Sequence, residues 1–86
     1  MPVICRFLGI SVMMYYKDHN PPHFHVKYNQ FRASFLINEL TMMDGELPAR
    51  IRALILEWAD LHRNELVENW NRSQSGDILL PIDPLI

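Results

Sequence analysis

Residues 3–16 are rich in β-branched, aromatic and methionine side chains, broken only by Gly9, and this pattern predicts one strand or two short ones. Alternation puts Ile10, Val12, Met14 and Tyr16 on one side and Ser11, Met13, Tyr15 and Lys17 on the other. Both sides are fairly apolar, as suits a central strand. Asp18-His19-Asn20-Pro21-Pro22 ends the run, because two consecutive prolines cannot continue a sheet ladder. Residues 24–28 and 31–37 then predict a hairpin around Asn29-Gln30. A two-residue loop pairs Tyr28 with Phe31, Val26 with Ala33 and Phe24 with Phe35, which builds one apolar face. The other face collects His23, His25 and Lys27 from one strand and Arg32 and Ser34 from the next. Residues 40–43 are expected to add a short edge strand before Asp44-Gly45.

From Pro48 onward the period becomes helical. Ile51, Leu54, Ile55, Trp58, His62, Leu66 and Trp70 follow steps of three or four and form an inward stripe, with Glu57, Asp60, Arg63, Asn64 and Glu68 mostly on the other side. Pro48 suits the first helical position, where its missing N–H has no intrahelical partner, and Gly76 suits a stop. About 25 helical residues at ~1.5 Å each span ~38 Å, more than the core of so small a domain. The helix must therefore kink near residues 61–64 or project its C-terminal half. The tail from Gly76 to Ile86 is too apolar to be a solvated end and is expected to lie back on the chain's own core.

The expected architecture is α+β: a three- or four-stranded, mainly antiparallel sheet packed on one long or kinked helix, followed by an extended apolar tail. Residues 1–86 form one domain, with a β-rich half at 1–44, the helix at 47–75 and the tail at 76–86. The helix should cover the face of Phe24, Val26, Ala33 and Phe35. The face of His23, His25, Lys27 and Arg32 should then be open, or be closed by a partner.

Composition narrows the class. A chain of 86 residues with 49% hydrophobic and 21% charged residues excludes disorder, collagen-like repetition and a multidomain enzyme. The single cysteine, Cys5, has no internal disulfide partner, which points to a reducing, cytoplasmic setting and to a buried, inert thiol. The longest uncharged apolar stretch near the start, residues 7–16, is half of the ~20 residues that a membrane span needs, so no membrane is expected. The net charge of −2 hides an asymmetry. Residues 1–38 set four cations against one carboxylate, a net of +3, while residues 39–86 set four against nine, a net of −5. An anionic ligand should meet the first half.

Candidate chemistry concentrates in Asp18-His19-Asn20-Pro21-Pro22-His23-Phe24-His25, where the prolines restrict the loop that carries the histidines. Such histidines exchange protons, bind phosphate or coordinate metal. Metal-independent RNA cleavage needs a base for the 2′-OH, an acid for the leaving oxygen and cations for the developing charge. His23, His25, Lys27 and Arg32, with His19 or Arg6, supply those groups on one face. Tyr15 and Tyr28 would stack bases where exposed. As a metal site, His19, His23 and His25 would give three nitrogens with Asp18 as an oxygen ligand. That spacing matches no standard zinc pattern, so no metal or cofactor is expected. In a purely structural reading, residues 18–20 cap a tight turn and His23 and His25 lie on an ordinary exposed strand face. His62 lies on the apolar stripe one turn from Trp58 and is expected to be hydrogen-bonded in the core, unless the helix packs on the cationic face and brings it to the site. Trp58 and Trp70 are core or interface anchors, and Met13, Met14, Met42 and Met43 fill gaps.

The opening residues Val3-Ile4-Cys5-Arg6-Phe7-Leu8-Gly9-Ile10, the run from Met14 through Asp18-His19-Asn20-Pro21-Pro22-His23-Phe24-His25 to Tyr28, Gly45-Glu46-Leu47-Pro48, Leu56-Glu57-Trp58 with Leu61-His62, Glu65 through Trp70, and Ile82-Asp83-Pro84-Leu85 resemble a family of small bacterial proteins, domain of unknown function 4160. The resemblance implies a gene beside a second small protein, in pairs that look like type II toxin–antitoxin modules, with this family as the toxin. It establishes no activity and transfers no catalytic residue. The expectation is a toxin acting on RNA or the ribosome as a small metal-independent ribonuclease, neutralised by a cognate antitoxin-like protein in a homodimer or hetero-complex. The partner would meet Trp70, Val67, Leu80, Ile82 and Leu85. The alternative is a non-catalytic antitoxin-like or regulatory binding protein in the same gene pair.

Overall fold

Period-2 alternation and tight turns produce an antiparallel meander. The computed structural model describes residues 2–86. Five strands, β1 (Val3–Phe7), β2 (Ile10–Met13), β3 (His23–Tyr28), β4 (Phe31–Leu36) and β5 (Met42–Gly45), lie in the order β1-β2-β3-β4-β5, and every neighbouring pair is antiparallel. Two helices follow, α1 (Ala49–Leu61) and α2 (Arg63–Ser75), and residues 76–86 are extended. The fold is α+β, with five strands and two helices in place of the three or four strands and single helix expected. Among the described residues no helix is long and apolar enough to cross a membrane.

Residues 3–16 divide at Leu8-Gly9, where both residues take positive φ (51° and 77°), as a type I′ hairpin turn requires. The β3–β4 hairpin has the register that a two-residue loop dictates, with Tyr28 opposite Phe31, Val26 opposite Ala33 and Phe24 opposite Phe35. The edge strand starts two residues later than expected. Residues 37–41 are used in a turn in which the Leu40 N–H donates to the Leu36 carbonyl and the Leu36 N–H to the Thr41 carbonyl. Ladder shifts fall between Val3 and Cys5 and between Ser34 and Phe35.

Both helices serve one face of the sheet. Phe24 stacks on Phe35 at 5.5 Å between ring centroids, and Trp58 from α1 packs edge-on against Phe24 at 6.1 Å and against Phe7 at 6.2 Å. Ile51, Ile55 and Leu66 join this core. Cys5 is buried there as a free thiol, and desolvation pushes its pKa up. The helical run breaks at His62, whose φ of −117° and ψ of 25° end α1 and begin α2. Its N–H is shared between the Trp58 and Ala59 carbonyls (3.1 and 3.2 Å). The break resolves the length problem: the molecule measures 33 Å along its longest axis, and beyond the break Leu66 and Trp70 of α2 still reach the core. Pro48 is the N-cap of α1 rather than its first helical residue, and Gly76 ends α2 in the left-handed conformation.

The tail docks on its own body. Asn69, 1% exposed, clamps Leu80 through both ends of its amide, donating to the Leu80 carbonyl (2.8 Å) and accepting from the Leu80 N–H (3.0 Å). The Trp58 indole N–H donates to the Asp83 carbonyl at 2.8 Å, and the Ile82 N–H donates to the Ile4 carbonyl at 2.8 Å. These bonds correct the expected partner surface. Trp70 and Ile82 are each 5% exposed within the core, Val67 and Leu85 pack against it half-buried, and only Leu80 of that set is exposed.

Gly45 and Gly76 both have positive φ but differ in surroundings. A Cβ on Gly45 would lie 2.2 Å from the Arg32 carbonyl oxygen, whereas one on Gly76 meets nothing within 4 Å. Gly76→Ala is expected to cost about 1–2 kcal/mol from the left-handed backbone alone. Gly45→Ala adds displacement of β4 and is expected to cost about 2–5 kcal/mol in urea denaturation. Equal costs would show that β5 does not depend on this close approach.

Candidate functional site

The face opposite the helices carries the polar residues in rows that the register fixes. Arg6 pairs with Ser11, Ser11 with Lys27 and Lys27 with Arg32, so one row across four strands holds three exposed cations. At about 4.8 Å per strand that row is ~14 Å wide. The next row holds Met13, His25, Ser34 and Asp44. Beyond it, at the end of β3, lies His23. A cavity of about 330 Å³ lies on this face, lined by Met13, Tyr15, His25, Arg32, Ser34 and Asp44 among others, at the small end of ligand-site volumes.

Asp18 organises the histidines. Its Oδ2 lies 3.0 Å from Nε2 of His25 and 3.0 Å from Nε2 of His23, and its Oδ1 accepts the His19 backbone N–H at 2.8 Å. Burial raises the Asp18 pKa, but the hydrogen bonds from His25 and the His19 N–H and the charges of His23 and His25 outweigh it and leave the carboxyl below its usual range. The loop is held from outside: the Lys17 N–H donates to the Ser73 carbonyl at 3.1 Å, and the Gln74 amide donates to the Asp18 carbonyl at 3.2 Å. The end of α2 thus positions a carboxylate from the loop after β2.

Each imidazole is also fixed at its second nitrogen. His23 Nδ1 donates to the Pro21 carbonyl at 2.7 Å. His25 Nδ1 lies 3.1 Å from Ser34 Oγ. In the neutral ring with its proton on Nε2, toward the carboxylate, Nδ1 carries the lone pair and the Ser34 hydroxyl donates to it. The order Ser34–His25–Asp18 is that of a relay in which a carboxylate orients an imidazole that can accept a proton. Tyr15 closes one side, its ring edge-on to His25 at 4.5 Å.

The candidate residues do not share one environment. His25 is half-buried and lines the cavity, Arg32 is exposed at its side, and Lys27 is exposed in the neighbouring row outside the lining. His23 is 1% exposed, under Trp70 of α2 (5.3 Å) and the exposed ring of His19 (5.0 Å), which corrects its expected place on a solvated strand face. His19 turns its Nδ1 to the Asn20 carbonyl and stays outside the cluster in which Asp18, His23 and His25 bring ligand-type atoms within 4.8 Å of one another. His62 does not reach the site; it lies against Trp58 and bonds Glu65. Tyr28 is half-buried against the core, which leaves Tyr15 as the aromatic of the cavity. Sequence reasoning placed Asp18 in a turn cap or, in the metal reading, beside the histidines as an oxygen ligand, and Ser34 only on the polar face. The signal for their roles was the Asp-His-Asn-Pro-Pro-His-Phe-His run, read together with the cross-strand pairing of His25 and Ser34.

Removal of Asp18 leaves the buried His23 Nε2 without its partner. Asp18→Ala is expected to destabilise the fold by about 1–3 kcal/mol, and His19→Ala, at an exposed ring, by less than about 0.5 kcal/mol. Urea denaturation of the two variants checks this, and similar values would show that the carboxylate is not what holds the cluster.

None of the curated proteins and none of the solved structures matches the chain. A family model described as Domain of unknown function (DUF4160) matches residues 9–71, a span that includes the whole Asp18–His25 cluster, Ser34 and both helical tryptophans. The chain belongs to the DUF4160 family.

Proposed function

We propose that this protein is the toxin of a two-protein bacterial module and acts on RNA as a small metal-independent endoribonuclease, with His25 as its acid–base group. The observation that carries the reading is the placement of a row of three cations, Arg6, Lys27 and Arg32, next to an imidazole that lines a cavity. Such a row suits the regularly spaced phosphates of a single strand, and Tyr15 offers an aromatic face for a base. In the reaction His25 Nδ1 takes the proton of the 2′-OH, once the Ser34 hydroxyl yields its place. The 2′ oxygen bonds to phosphorus, the bond to the 5′ oxygen breaks, and that oxygen leaves with a proton from solvent. Arg32 stands where negative charge develops on the phosphoryl oxygens. Asp18 and Ser34 hold the imidazole in orientation, and the buried His23 supports Asp18 rather than touching RNA. A cognate antitoxin-like partner would neutralise the protein by covering the cationic row, a surface that favours an acidic segment.

A fluorogenic single-stranded RNA tests this, with growth of an expressing bacterial host as the second readout. The wild-type protein is expected to cleave and to arrest growth. His25→Ala should lower the rate by about 10²–10⁴-fold without loss of fold. The double variant Lys27→Ala/Arg32→Ala should weaken RNA binding and reduce its salt dependence by about two phosphate contacts. Cleavage unchanged in His25→Ala would remove the catalytic assignment. No cleavage by folded wild type would move the function to a non-catalytic regulatory partner of the same pair.

A further inference from the structure

The same cluster has the construction of a metal site. Three atoms converge: Asp18 Oδ2, His23 Nε2 and His25 Nε2, with both nitrogens 3.0 Å from the one oxygen and all three atoms within 4.8 Å of one another. Bonds of about 2.0–2.2 Å to a four-coordinate ion set its ligand atoms roughly 3.3–3.5 Å apart, so each nitrogen would move a few tenths of an ångström from the carboxylate oxygen while the two nitrogens, no more than 4.8 Å apart, settle to a similar separation.

The shell behind the three atoms supports this more strongly than the convergence does. A metal-binding histidine turns its other ring nitrogen to a carbonyl, carboxylate or hydroxyl, which fixes tautomer and ring plane. His23 Nδ1 meets the Pro21 carbonyl at 2.7 Å, and His25 Nδ1 meets the Ser34 hydroxyl at 3.1 Å. Both rings therefore have a fixed Nδ1 and direct Nε2 at the same carboxylate. His23 adds a separate observation. The ring is 1% exposed, and both its nitrogens face acceptor oxygens, so hydrogen bonding alone satisfies it only with a proton on each nitrogen. A cation at Nε2 satisfies the buried ring with one proton and no charge on it. The frame is also rigid: Trp70 packs on His23 at 5.3 Å, and the Lys17 and Gln74 hydrogen bonds tie the Asp18 loop to α2.

We propose that Asp18, His23 and His25 bind one divalent transition-metal ion of the zinc, nickel or cobalt class, with Ser34 and the Pro21 carbonyl as its outer shell. Two imidazoles and one carboxylate select such ions over magnesium or calcium, which take oxygen ligands. Three protein ligands leave at least one position for water or another ligand. His19 is not a ligand, since its Nδ1 is committed to the Asn20 carbonyl and its Nε2 stands 3.6 Å from Oδ1. The inference does not rest on RNA cleavage, because an ion at these atoms is detected by its binding.

The test is calorimetric titration of Zn2+ into the full, untagged chain, repeated with Co2+ and followed by its visible absorption. One ion per chain is expected, with an absorption of low-coordinate cobalt. Asp18→Asn and His25→Gln should each weaken binding by more than about 10-fold, Ser34→Ala by about 10-fold, and His19→Gln by less than about twofold. Because His23 is buried, the conclusion rests on the other variants, each checked for fold by its amide NMR spectrum. Zn2+ should also raise the melting temperature of wild type and not that of His25→Gln. No stoichiometric binding by the folded wild type would overturn the proposal. So would binding that persists in Asp18→Asn and His25→Gln, or that is lost in His19→Gln, since either places the ion on surface side chains. Failure here leaves the cleavage reading intact, and absence of cleavage leaves this one intact.

Discussion

A sheet has two faces, and this chain has enough helix for one. The two helices contribute 13 residues each, and they go to the face where Phe24, Val26, Ala33 and Phe35 would otherwise meet water. Burial of large apolar side chains is worth about 1.5–3 kcal/mol each, so this assignment is not negotiable for so small a domain. The other face must then live with solvent, and its rows of Arg6, Ser11, Lys27 and Arg32, then His25, Ser34 and Asp44, are the outcome. Because side chains alternate strictly along β3, the residues that anchor the core also fix where the histidines point.

The division is incomplete, since Met13, Ser34 and His23 of the second face are buried too, and the site depends on the burial of His23. At the start of β3, Trp70 from the middle of α2 covers His23, while the tail, clamped by Asn69 and Trp58, holds α2 in place. The break at His62 precedes this contact. Beyond the break, Ser73 and Gln74 at the end of α2 make the bonds to Lys17 and Asp18 that seat the loop. The apolar tail thus contributes to the polar cluster at a distance, by fixing the helix that fixes the loop.

The hairpin was legible from sequence because two constraints met in it: alternation chose the faces and a two-residue loop chose the register, so Phe24 could only face Phe35. The docked tail was legible from its apolar content, although that content could not say that Asn69, a polar residue on α2, would be its principal clamp. The core was the favoured place for the tail, yet Leu80 and Ile82 also stood among the residues expected to meet a partner. The extent of β5 was missed because Gly45 reads as punctuation, whereas its positive φ of 90° and close approach to Arg32 make it the last residue of a strand. The role of Asp18 was the least legible. Its partners lie five and seven residues away across two prolines, and no periodicity reports a contact made by a loop folding over a strand end. Burial of His23 was hidden for the same reason, since the ring that covers it comes from a helix 47 residues later in the chain.

The two readings of this face meet at a single atom. In the cleavage reading, Nε2 of His25 keeps its proton on Asp18, and so Nδ1 is free to accept one. With a cation at Nε2 the remaining proton belongs to Nδ1, which then donates to Ser34 and cannot act as a base. Occupancy of the cluster and proton abstraction by His25 therefore exclude each other, by tautomer rather than by distance. His23 stands on the other side of this balance: its ring is buried and bound at both nitrogens, so it gains most from a cation that takes the place of a second proton. Asp18, shared by both rings, is the group through which the needs of the buried histidine reach the exposed one.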